Sequence, residues 1–92
     1  MIITWESANL LKNPEITNLI RDLKKPLHKR DRVTLSNNIW EEKRTDKFAR
    51  YRKRIDYTVT VEDIEEVIIQ ENHIIINGHR IMICPSFFYM IE

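Results

Sequence analysis

The chain has 92 residues, 42% hydrophobic and 32% charged, with a net charge of +1 and one cysteine. That length suits one hydrophobic core, and the composition excludes wholesale disorder and an internal disulfide framework. Charge is divided unevenly: residues 21–54 carry thirteen Lys or Arg against five Asp or Glu, whereas 55–92 carry only Arg80 against seven acids.

Ile2-Ile3-Thr4-Trp5 reads as a short strand or apolar anchor. Asn13-Pro14-Glu15 is a helix start: Asn caps, Pro fits the first turn and Glu complements the dipole. Ile16, Leu19, Ile20 and Leu23 recur at i, i+3, i+4, i+7, which predicts a helix over 14–25, stopped by Pro26.

Residues 26–35 read as a basic connection, and Ser36 as the cap of a second helix reaching Arg54. At 100° per residue Trp40, Phe48, Tyr51 and Ile55 share one side of that helix, while Lys43, Lys47, Arg50 and Arg54 form a separate basic stripe.

From Ile55 the period changes to two, because Ile55, Tyr57, Val59 and Val61 alternate with Asp56, Thr58 and Thr60. A second strand is expected over Ile64–Gln70. Asn77-Gly78 between two apolar runs predicts a hairpin with a type I′ turn, pairing Ile76 with His79, Ile75 with Arg80, Ile74 with Ile81 and His73 with Met82. Phe87-Phe88-Tyr89-Met90-Ile91 closes the chain as a strand or a helical turn.

The reading is a single α+β domain spanning 1–92, with 1–54 mainly helical and basic and 55–92 an acidic β-meander. Two helices precede a small, curved antiparallel sheet of three or four strands, in the limit a partly open SH3-like barrel. The expected core is Ile16, Leu19, Ile20, Leu23, Val59, Val67, Ile74, Ile76, Ile81 and Ile83.

The basic stretch is the most informative functional feature. Lys43, Lys47, Arg50 and Arg54, with Lys29, Arg30 and Arg32 in the preceding loop, are suited to phosphates, and Tyr51 at the edge to base stacking. This favours a non-enzymatic binding module or regulator acting on nucleic acid or on a nucleic-acid enzyme. The bland alternative is a solvated charged face, or one docking the acidic tail of a second copy as a homo-oligomer.

A second reading is a phage-type inhibitor or adaptor that meets a host protein through a sheet edge or through Phe87, Phe88 and Tyr89. Covering the open end of the sheet is the structural alternative for those three residues. A third reading is a small ribonuclease using His28 or His73. Glu41-Glu42-Lys43 has the Glu-x-Lys form of restriction-type nucleases, but that signature requires a strand.

No metal site is expected, because the hairpin register sends His73 and His79 to opposite faces and Cys84 lacks cysteine partners. No cofactor is expected either: one glycine cannot build a phosphate-binding loop. Met1 to Asn9 lacks a basic segment followed by an apolar run, and no apolar stretch is long enough to span a bilayer. The expectation is a cytoplasmic protein without a membrane partner.

The order of segments resembles the YolD-like family of Bacillus-type bacteria and their phages. The resemblance is carried by Met1-Ile2-Ile3-Thr4-Trp5, Leu10-Leu11, Pro14-Glu15 and Leu35-Ser36, then by Ile64-Glu65-Glu66-Val67, Glu71-Asn72, Ile74-Ile75-Ile76 and Phe88-Tyr89-Met90-Ile91-Glu92. The family usually has a longer basic amino-terminal extension and a glycine opening one strand, where this chain has Asp63 or Ile64. The resemblance implies a small non-enzymatic module with a bent β-sheet, from a family found beside error-prone repair polymerases and in mobile elements. It implies no catalytic residues.

Overall fold

Asn13 begins the first long element as its chemistry dictates. Its side-chain oxygen accepts the Glu15 N–H at 3.0 Å, Pro14 occupies the first turn, and helix α1 runs over Pro14–Leu23. Its four periodic apolar residues, Ile16, Leu19, Ile20 and Leu23, are all buried. The structure is a computed structural model that describes residues 1–6, 13–44 and 50–92, with side chains described outside 38–55.

Seven strands accompany α1 among the described residues: β1 (Ile2–Trp5), β2 (Arg32–Arg44), β3 (Arg50–Thr60), β4 (Glu66–Ile69), β5 (His73–Ile76), β6 (His79–Met82) and β7 (Phe88–Ile91). The 3-10 turn Val61–Asp63 links β3 to β4. The strands form two sheets, ordered β1-β4-β5-β6 and β3-β2-β7. Every pairing is antiparallel except that of β1 with β4.

Both sheets contribute one face to a common core. Val33 and Leu35 come from β2, Val67 and Ile69 from β4, Ile74 and Ile76 from β5 and Ile81 from β6, with α1, Ile64 and Phe87 completing it. Tyr57, Val59, Tyr89 and Ile91 pack against that cluster. They are the register neighbours of Leu35 and Val33 on either side, so a row of apolar residues crosses the three-stranded sheet at right angles to its strands. The Tyr57 and His79 rings stack with centroids 4.1 Å apart and planes 11° from parallel, tying one sheet to the other.

The Asn77-Gly78 hairpin has the expected register at all four pairs. Asn77 sits at φ 51° and Gly78 at φ 82°, the left-handed values that a type I′ turn requires at both positions. Asn77 also braces the preceding segment. Its side-chain oxygen accepts from the Glu65 and Glu66 N–H groups at 2.8 and 3.2 Å, and its amide donates to the Asp63 carbonyl at 2.6 Å.

The fold differs from two helices followed by one small sheet. Residues assigned to a second helix over 36–54 lie largely in β2 and β3, with 45–49 outside the described residues. The first half of the chain is therefore not mainly helical. The helical spacing of Trp40, Phe48, Tyr51 and Ile55 coexists with a two-residue alternation that starts at Val33 and Leu35. Burial decides between them: Val33 and Leu35 are both fully buried, and a strand alone presents i and i+2 to one face.

Of the expected core residues, Val59 and Ile83 are only partly buried, while Val33, Leu35, Ile64, Ile69 and Phe87 join it. Among the described residues no helix is long and apolar enough to cross a membrane.

Candidate nucleic-acid interface

The basic middle of the sequence becomes a β-ribbon. The ladder from β2 to β7 ends at Ser36 opposite Phe88, and beyond it the described pairing of β2 is with β3. The register shifts between Ser36 and Trp40, then sets Trp40 opposite Arg54, Glu41 opposite Lys53, Glu42 opposite Arg52, Lys43 opposite Tyr51 and Arg44 opposite Arg50.

Directly opposed residues of an antiparallel pair share a face, and faces alternate along each strand. One face of the ribbon therefore carries Arg44, Arg50, Arg52 and Arg54 with Glu42 and Trp40. The other carries Lys43, Lys53, Glu41 and Tyr51. Because β3 continues unbroken to Tyr57 and Val59, which pack on the core, its even-numbered residues belong to the face turned away from the core. The arginine-rich face is that outward one.

This arrangement divides the stripe expected on a helix. Lys43 and Tyr51 fall on the face opposite Arg50 and Arg54, and Lys47 lies outside the described residues. Arg44 and Arg52 take their places. Strand alternation in Arg50-Tyr51-Arg52-Lys53-Arg54-Ile55-Asp56-Tyr57 was the signal for this grouping, masked by an equally good helical period.

Lys29, Arg30 and Arg32 are exposed at the other end of the hairpin. The turn that carries them is tied to the end of β3: Glu62 N–H donates to the Lys29 carbonyl at 3.1 Å, and Val61 N–H to the Asp31 carbonyl at 2.8 Å. Arg32 also lies 3.9 Å from the Glu92 carboxylate. Arg44 lies twelve steps along β2 from Arg32, on the order of 40 Å at the rise of a β-strand. The two basic groups are not one cluster.

The aromatic end serves the interior more than the surface. Phe87 is buried in the core and Phe88 is half-buried. The Tyr89 hydroxyl donates to Asp22 Oδ2 at 2.6 Å, fastening β7 to α1. Burial, then the bond to the Asp22 carboxylate, pushes Tyr89 up to about 12. The same bond, with Lys25 3.3 Å away, holds Asp22 below the usual carboxylate range. What β7 offers outward is its backbone edge: Arg32 and Glu92 exchange both backbone bonds, so the alternating ladder turns the N–H and C=O groups of Tyr89 and Ile91 away from β2.

Glu41-Glu42-Lys43 lies on a strand after all, but on the face shared by Glu41 and Lys43 the register supplies Tyr51 and Lys53 instead of a second carboxylate. His73 lies 3.5 Å from an Arg80 guanidinium nitrogen, and His79 stacks on Tyr57. Among the described residues no three His, Cys, Asp or Glu side chains are grouped to hold a metal ion.

Comparison of the chain with protein-family models, with curated proteins and with solved structures gives no match.

Proposed function

We propose that the chain is a nucleic-acid-binding module that works by occupancy, and that its contact element is the outward face of the β2–β3 ribbon. The observation that carries this reading is the grouping of Arg44, Arg50, Arg52 and Arg54 on one face, with Arg44 directly opposite Arg50. Guanidinium groups pair with phosphate in a bidentate manner, and each phosphate neutralised releases condensed counterions. Membership of the YolD-like family, found beside repair polymerases, is part of the same proposal and rests on the short motifs quoted above.

Fluorescence anisotropy with single- and double-stranded DNA and RNA, at low and physiological salt, tests the reading. The expected result is binding with a steep salt slope that is lost, or flattened by about two to three units of log K against log salt, in the R50Q/R52Q/R54Q variant. These residues lie beyond the β7 ladder, which ends at Ser36 opposite Phe88, so the variant is expected to remain folded. A folded variant that binds as tightly as the parent chain refutes the proposal, and a chain with no affinity for any of these ligands at low salt turns attention to a protein partner at the β7 edge.

A further inference from the structure

The outward face of the four-stranded sheet does not have the pattern of a face left in water. A sheet solvated on one side alternates apolar and polar residues along each strand, whereas strands covered on both sides are continuous apolar runs. Here β4 contains Val67-Ile68-Ile69 and β5 contains Ile74-Ile75-Ile76. Val67, Ile69, Ile74 and Ile76 are buried in the core. Ile68 and Ile75, which stand directly opposite each other, therefore point away from it. Both are half-buried.

The register carries this face across all four strands. Thr4 lies beside Ile68 and Arg80 beside Ile75, while Ile2 lies beside Glu66 and Met82 beside His73. Ile2 is 68% exposed and Met82 45%. Glu6, two residues beyond Thr4, shares the face and accepts the Gln70 amide at 3.0 Å. Charge is divided between the two halves of the face. Glu6 and Glu66 lie on the β1–β4 half, whereas the β5–β6 half carries Arg80, whose guanidinium is 3.5 Å from His73 Nδ1.

From this pattern we infer that the face is covered by the same face of a second copy, related by a twofold axis that runs parallel to the strands between β4 and β5. Rotation about that axis sets β4 against β5 of the second copy and β1 against its β6. Ile68 of each copy then meets Ile75 of the other, and Arg80 of each falls above the β1 strand of the other, beside Glu6. The divided charge selects this occupant, because each half of the face meets the half of opposite sign. An axis at right angles to the strands sets β6 against β6 and brings the two Arg80 side chains together. The inference does not depend on the proposed role of the ribbon.

Four strands ~4.8 Å apart, each contributing about five residues at a rise of ~3.4 Å, make a face on the order of 300 Å² in plan. That lies at the small end of specific interfaces, so the dimer is expected to dissociate on dilution, with a Kd on the order of tens of micromolar. Sedimentation equilibrium of the full chain from about 5 to about 500 µM brackets that range. The mass is expected to rise from monomer to dimer. I75K and R80E are each expected to weaken association by at least about tenfold, and R80E/E6R to recover most of what R80E loses. Far-UV circular dichroism checks that each variant keeps the fold.

A chain that stays monomeric across the whole range overturns the inference. A dimer that folded I75K or R80E leaves unchanged also overturns it, since association then uses another surface. Failure of E6R to restore association to a folded R80E variant overturns the twofold arrangement on which the inference rests.

Discussion

Asn77 combines two duties that few residues can perform together. It accepts a left-handed backbone conformation, and its side chain makes three hydrogen bonds to the segment leading into β4. Asn77→Ala loses both advantages and is expected to cost about 1–2 kcal/mol in urea denaturation. Gly78→Asn tests the neighbouring position: no atom lies within 4 Å of a Cβ placed there, so only conformational strain opposes it, and Asn tolerates that region best. A smaller loss is expected for this variant than for Asn77→Ala.

Tyr89 and Asp22 make a pH-dependent tie between β7 and α1. Tyr89 titrates at about 12 in the folded chain, above its ordinary 10.0, so its contribution is complete below pH 10 and is lost between there and 12. Asp22 is shifted down from 3.8, so its contribution is present above that value and is lost as pH falls through the lowered one. Urea midpoints measured from acid to alkaline pH are expected to decline at both ends. In Tyr89→Phe the alkaline decline due to this residue disappears and the acid decline weakens, because the largest cause of the Asp22 shift is gone. An unchanged profile contradicts the tie.

At the scale of elements, α1 and the β5–β6 hairpin were legible because local chemistry and long-range packing agree there. Asn13, Pro14 and four periodic apolar residues specify one helix, and Asn77-Gly78 specifies one turn and hence one register. The β2–β3 hairpin was not legible. Its far portion is a run of long charged residues with good helical propensity and contains no glycine or proline, so local preference favours a helix and only packing overrules it. The decisive contacts lie at the near end, where Val33 and Leu35 meet Val59 and Tyr57 on one side and Ile91 and Tyr89 on the other. β7 is the remotest of those partners in sequence, and no pattern local to residues 33–36 announces it.

Leu35 is the pivot of that arrangement, fully buried between Tyr57 and Tyr89. Leu35→Ala is expected to cost about 2–5 kcal/mol, a large share of the roughly 5–15 kcal/mol that stabilises a domain. Chemical denaturation monitored by circular dichroism checks this. A loss below about 1 kcal/mol would mean that the three-stranded sheet does not depend on its central strand.

For the molecule as a whole, burial and charge occupy different regions. The core draws on α1 and both sheets, while the densest positive charge lies on a ribbon that extends past the third strand of its sheet. The candidate site was legible in composition, since the excess of Lys and Arg in the middle of the chain is plain, but its membership was not. A helix groups Lys43, Lys47, Arg50 and Arg54, whereas the ladder groups Arg44, Arg50, Arg52 and Arg54. The two groupings predict different contacts with a ligand and are separable by experiment.

The most direct measurement is an amide chemical-shift titration of the isotopically labelled chain with a short oligothymidylate at low salt. The account predicts shifts concentrated at Trp40–Arg44 and Arg50–Arg54, with the β5–β6 hairpin and β7 unmoved. Shifts concentrated along β7, or none at all, would contradict it.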